Sequence, residues 1–201
     1  MKQMLRMAAV CIGLLLVIAL PVSATEYGAP EITPKTTMKQ LRENPSIKGS
    51  GLYTYVYIWE RDCDLLRHSK DNDTMEQVIG TGSVNSCVAG MNYLIETYNA
   101  GTQITYKLFS PEEIAQDASR DRAELYYFPA EQPGAKYAVV LSGNALFYSG
   151  EMRGGVSTAW ELHQQGYAVF ALRYRIGLDA TDNAPLEDLG RAIQFITANA
   201  E

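Results

Sequence analysis

The stretch that most constrains the fold runs from Lys136 to Arg175, KYAVVLSGNALFYSGEMRGGVSTAWELHQQGYAVFALRYR. It reads as strand, Gly-containing loop, helix, Gly stop, strand. Ala138–Leu141 and Tyr167–Tyr174 are near-continuous apolar runs of strand length, rich in Val, Phe and Tyr. Strands buried on both faces, as in a parallel sheet, read this way, whereas half-solvated strands alternate. Between them Met152, Val156, Ala159, Trp160 and His163 recur on one helical face, and Gly166 follows as a left-handed stop. Two parallel strands joined through a helix form a βαβ unit. Ligands of such sheets collect beyond the carboxyl ends of the strands. The loop Ser142-Gly143-Asn144-Ala145 is therefore where chemistry is expected.

The rest of the chain sets the context. Met1–Ala24 has the three parts of a secretory leader: Lys2 and Arg6, the apolar run Met7–Leu20, and small residues up to a cut after Ala24. The run is too short to span a bilayer comfortably, and Cys11 sits in its middle, away from a lipoprotein cleavage position. The expectation is an exported protein without a stable membrane span. Formal net charge is −6, and −8 without a leader that carries two cations and no acid, which argues against a nucleic-acid partner. Cys63 and Cys87 remain; in an exported chain they most simply form one disulfide, worth about 3 kcal/mol in the chain-entropy model. The alternative is two buried thiols.

Residues 25–50 carry Pro, Lys and Thr with little apolar periodicity and read as a linker. Gly51–Trp59 reads as a strand with Tyr53, Tyr55, Tyr57 and Trp59 on one face, a stripe that could stack on sugar rings or pack internally. Residues 61–76 are acid-rich, but Met75 and Glu76 spoil a calcium loop, so a solvated loop is expected. Gly80-Thr81-Gly82 lacks the third Gly and the preceding strand of a dinucleotide site. Val84–Tyr98 is an amphipathic helix burying Val84, Cys87, Val88, Met91, Leu94, Ile95 and Tyr98. Gln103–Phe109 is a strand, Ser110-Pro111-Glu112-Glu113 a capping box opening a short helix to about Ser119, and Ala123–Phe128 another strand. Pro185 opens the last helix, with Leu186, Leu189, Ile193 and Ile196 on one face and Glu187, Asp188, Arg191 and Gln194 on the other.

From the antiparallel strand pair through the βαβ unit to Arg173-Tyr174-Arg175-Ile176-Gly177 and Pro185-x-x-Asp188-x-x-x-Ala192, the chain resembles the α/β-hydrolase fold. Its acetyl-esterase and feruloyl-esterase-like branch is the nearest in pattern, over residues 103–201. The resemblance implies an α/β domain over residues 101–201, the N-terminal part of such a hydrolase; ahead of it, the residues themselves read as the leader and an α+β extension over residues 25–100 that resembles no family. It implies an exported serine esterase acting on small carboxylic esters, such as acetyl groups on sugars, without metal or cofactor. The amides of Asn144 and Ala145 would form the oxyanion hole, with Gly143 allowing the turn. Arg175 and Asp188 would clamp strand to helix.

Ester hydrolysis by this fold needs a G-x-S-x-G elbow, then an acid and a His. The nearest string, Gly155-Val156-Ser157-Thr158-Ala159, has no strand running into it, and Thr158 and Glu161 have capping-box spacing instead. His68 and His163 precede the expected nucleophile and do not qualify. The expectation is an enzyme whose nucleophile, acid and His lie beyond Glu201, leaving Ala138–Leu141 as an exposed apolar edge and the isolated chain poorly soluble and inactive. The competing reading is a non-catalytic exported binder of glycan or cell-wall polymer that uses the Tyr53-Tyr55-Tyr57-Trp59 stripe.

Overall fold

The computed structural model describes residues 31–52, 69–143, 146 and 150–199. The expected leader (residues 1–24), the Tyr53-Tyr55-Tyr57-Trp59 stripe, Cys63, His68, Asn144 and Ala145 lie outside the described residues. The helices are α1 (Met38–Glu43), α2 (Pro45–Ser50), α3 (Met75–Ile79), α4 (Val84–Asn99), α5 (Pro111–Gln116), α6 (Ser157–His163) and α7 (Ala184–Asn199). The strands are β1 (Thr105–Lys107), β2 (Glu124–Phe128), β3 (Tyr137–Leu141) and β4 (Ala168–Arg173). They form one mixed sheet in the order β1-β2-β4-β3. β3 and β4 are parallel, with Val139 opposite Phe170, and β2 runs antiparallel to both β1 and β4.

Alternation along the strands divides the sheet into two faces. Tyr126, Phe128, Val140, Val169 and Ala171 point to one side, into a core completed by α4, α6 and the N-terminal helices. Leu125 and Leu172 point to the other, where Phe109, Tyr174, Ala192 and Ile196 meet them under α7. Fully burying a side chain such as Phe128 stabilises by roughly 1.5–3 kcal/mol. β3 occupies the sheet edge as expected, with Tyr137 and Leu141 43% and 42% exposed. Among the described residues no helix is long and apolar enough to cross a membrane.

Four expectations are corrected. Residues 31–50 are not a linker: Ile32, Met38, Leu41 and Ile47 are buried in the same core as the sheet. Their helices are too short for an amphipathic period but are well capped. Thr37 and Gln40 form a capping box, and the Asn44 side chain accepts from the amides of Ser46 and Ile47. The acid-rich loop gives way at Thr74 to α3, opened by a Thr74/Gln77 capping box and anchored by buried Met75 and Ile79. Cys87 is a free, fully buried thiol, so the expected bridge to Cys63 is absent at Cys87; burial pushes its pKa well up. Finally, α7 is rotated from its expected face. Asp188, Ala192 and Ile196 are buried, while Leu186 is 67% and Ile193 44% exposed. The ion pair described below fixes that rotation more strongly than the apolar stripe does.

The crossover helix also differs in detail. Its first turn, Glu151–Val156, is π-helical, with the Gly155 amide reaching back to the Gly150 carbonyl. Such a wide turn is rare and concentrates at functional sites. Thr158 is interior to α6 and no side chain caps the helix; Glu161 instead accepts from the Ser86 hydroxyl of α4. The close α4–α6 crossing depends on Gly90, where a Cβ would come within 2.8 Å of Val156 Cγ1.

Candidate functional site

The carboxyl ends of β3 and β4 lie side by side, and three contacts tie the loop leaving β3 to the residues that end β4. At the loop's start, Ser142 is buried and its carbonyl accepts from the Tyr174 hydroxyl at 2.9 Å. Burial raises the Tyr174 pKa, with the Glu151 charge adding to it, so the phenol remains a donor at neutral pH. In the middle, the Leu146 carbonyl accepts from the Gly177 amide at 2.8 Å. Leu146 holds φ +62°, a left-handed conformation that costs a branched residue on the order of 1–2 kcal/mol. At the far end, Glu151 opens the π-turn and meets Arg173, with Nε 3.4 Å from Oε1.

Beneath that last contact lies a buried charge cluster that sequence reasoning missed. Glu124, Glu151 and Arg173 are 2%, 2% and 8% exposed. Arg173 Nη1 lies 3.7 Å from Glu124 Oε2, and the Tyr126 hydroxyl donates to the same oxygen at 2.6 Å. The ammonium of Lys107, on the rim, pairs with the other Glu124 oxygen. Among the described residues each of the two carboxylates thus faces a cation, the condition under which buried charge is tolerated. Desolvation, then the Glu124 charge, pushes the Tyr126 pKa well above its usual value. The sequence signal for the cluster was a charge at the end of each of two apolar strands, Glu124 and Arg173.

Arg175 and Asp188 form the expected clamp. The Arg175 amide, Nε and Nη2 bond the Asp188 carboxylate at 2.7–3.1 Å, and Asp188 is fully buried. Glu187 at 2.6 Å and Asp117 at 3.4 Å also face the guanidinium. Burial alone would lower the Arg175 pKa, but the Asp188 and Glu187 hydrogen bonds outweigh it and hold it above the usual range. Its face also lies 5.3 Å from the Phe109 ring. The clamp fixes where the chain turns after β4.

Of the residues singled out for oxyanion chemistry, Asn144 and Ala145 lie outside the described residues, and Gly143 sits exposed beside the buried Ser142. Gly143 does not adopt a positive φ, and a Cβ there would lie 4.0 Å from the Tyr174 hydroxyl, so the turn does not demand glycine on steric grounds. Ser157 is buried with its hydroxyl bonded to the carbonyls of Ser83 and Met152, and no base approaches it among the described residues. His163 is enclosed by Tyr93, Trp160 and Phe128, with ring centroids at 4.4, 5.5 and 6.4 Å. Its Nδ1 has no hydrogen-bond partner among the described residues. Burial lowers its pKa, against a smaller opposing effect of Glu131. Both are core residues.

Among the described residues no three His, Cys, Asp or Glu side chains converge as a metal site. A cavity of about 410 Å³ lies at the opposite end of the sheet, lined by Tyr106, Tyr127, Tyr137, Phe170 and Phe195. Among the described residues none of its lining belongs to the loop after β3.

No protein-family model matches the chain, and no curated protein matches it. A solved structure, esterase B from Lactobacillus Rhamnosis (HN001), is similar over 48% of this chain and 29% of its own, at 19% identity and a TM-score of 0.36. The chain thus corresponds to less than a third of that esterase's length.

Proposed function

We propose that this chain supplies the oxyanion-side part of an exported ester hydrolase acting on small carboxylic esters, acetyl groups on sugars among them. The observation that carries the reading is the loop leaving β3. It lies at the carboxyl end of a parallel strand pair, carries a strained Leu146, and is tied at its start and middle to Tyr174 and Gly177, which follow β4, and at its far end to Arg173, the last residue of β4. A loop held in that way can keep backbone N–H groups aimed at one point. Donors fixed before reaction meet the charge that develops on a carbonyl oxygen, and each is worth about 3–4 kcal/mol of barrier. Asn144 and Ala145 are the amides assigned that role. Ser157 and His163 are both committed to the core and are assigned no catalytic role.

The test is ester turnover by the full-length gene product on p-nitrophenyl acetate and on acetylated xylan. Turnover blocked by a serine-directed fluorophosphonate is the expected result. A purified, folded full-length product that neither hydrolyses esters nor takes up the probe refutes the reading.

A further inference from the structure

Arg153, Ser157 and Glu161, spaced four residues apart, run along one side of the crossover helix and its wide first turn. All of them reach the corner between α3 and α4. Arg153 Nε donates to the Ile79 carbonyl at 2.8 Å and Nη2 to the Val78 carbonyl at 3.3 Å. These carbonyls end α3, where a helix has no internal partner for them. The buried Ser157 hydroxyl donates to the Ser83 carbonyl at 3.1 Å, and Glu161 accepts from the Ser86 hydroxyl at 3.1 Å.

The first two contacts stand where the helix changes register. A π turn holds one residue more than an α turn, so its amides reach back five residues instead of four. The Gly150 carbonyl takes the Gly154 amide at 2.7 Å and also the Gly155 amide at 3.4 Å. In an α turn the Gly155 amide would bond Glu151 instead. The Ser157 hydroxyl bridges the wide turn and the corner, since it also approaches the Met152 carbonyl, five residues back, at 3.4 Å. Glycine at 154 and 155 leaves the backbone free to take either register. The π turn is the rarer of the two, so its presence here calls for a contact that favours it.

We propose that the corner between α3 and α4 selects the π register of residues 151–156, with Arg153 and Ser157 as the positioning residues that transmit it. The helices ahead of β1 are then a working part of the β3–β4 unit. Losing the extra residue of the turn rotates what precedes it by about 100° relative to α6. Neither positioning residue is assigned a contact with substrate. An effect on turnover rests on the esterase reading above; the choice of register does not.

The test compares the full-length gene product with its Ser157→Ala, Arg153→Ala and Arg153→Lys variants, and with the double variant Arg153→Ala/Ser157→Ala. Ser157→Ala leaves the Ser83 carbonyl bonded to the Cys87 amide, so the first turn of α4 and the fold are retained. In hydrogen exchange, the Gly154 and Gly155 amides of Ser157→Ala and Arg153→Ala are expected to exchange about fivefold faster or more, with those of β2 and β4 unchanged. In Arg153→Ala the Gly80 amide at the end of α3 should quicken as well, because the contact holds both partners. Arg153→Lys, which replaces the fork by a single ammonium, should fall between wild type and Arg153→Ala. A crystal structure of the double variant is expected to show the Gly155 amide moved to the Glu151 carbonyl, in the α register. A π turn retained in the double variant overturns the proposal. So does exchange at Gly154 and Gly155 that is unchanged in the single variants, or that quickens evenly over the whole protein, which marks a general loss of stability. If the double variant does not accumulate, exchange in the single variants decides alone. Should the wild-type protein turn over no ester, the esterase reading fails while the register comparison still decides this one.

Discussion

Replacing Asp188 by Asn is the sharpest test of the forces that shape this chain. Asp188 is fully buried and receives three donors of Arg175: the amide at 2.8 Å, Nε at 3.0 Å and Nη2 at 2.7 Å. Asn keeps the shape but removes the charge and turns an NH2 towards at least one of those donors. Breaking a buried pair at one end costs about 3–5 kcal/mol, because the remaining charge is left uncompensated. Here Glu187 and Asp117, 38% and 42% exposed, stay beside Arg175 and supply part of the missing charge. The expected loss is therefore at the lower end, about 3 kcal/mol, or roughly 6–12 °C in Tm for a domain of this size. Urea unfolding followed by tryptophan fluorescence at submicromolar concentration measures it. A companion variant, Asp188→Leu with Arg175→Met, should recover to within about 1 kcal/mol of the wild type. A loss below about 1 kcal/mol for Asp188→Asn would refute the idea that this pair, and not the Leu186/Ile193 stripe, sets the rotation of α7.

Three further outcomes are expected. Gly90→Ala pushes a methyl into Val156 Cγ1 at 2.8 Å and Trp160 Cβ at 3.1 Å, and should cost about 1–3 kcal/mol in the same unfolding assay. The His163 pKa is depressed from 6.5 by burial, so the unfolded chain takes up the proton first; stability is full above pH 6.5 and falls as the pH drops below it. His163→Phe should flatten that part of the pH–stability curve, and an unchanged slope would contradict the burial argument. Cys87, buried with a raised pKa, should resist iodoacetamide in the native protein and react once urea is added, as peptide mapping would show.

Legibility in the sequence followed the physics of each element. The β3–β4 pair and α4 were readable because continuous apolar runs and a sixteen-residue amphipathic period each admit few alternatives. The α5 capping box was readable because Ser110, Pro111 and Glu113 each satisfy a specific need of a helix start. Helices α1 to α3 were missed because five or six residues are too few to display a period, although Thr37-x-x-Gln40 and Thr74-x-x-Gln77 carried the same box. The outward face of α7 was misjudged because periodicity weighs apolar side chains and ignores a buried carboxylate with a partner thirteen residues upstream. The Glu124, Arg173 and Glu151 cluster was not legible, since those charges are scattered over 50 residues and meet only in the folded sheet.

Fluorophosphonate labelling of the full-length gene product, read by peptide mass spectrometry, tests the central claim most directly. The account predicts one stoichiometric adduct, on a serine other than Ser157. An adduct on Ser157, or a folded full-length protein that takes up no probe, would contradict it.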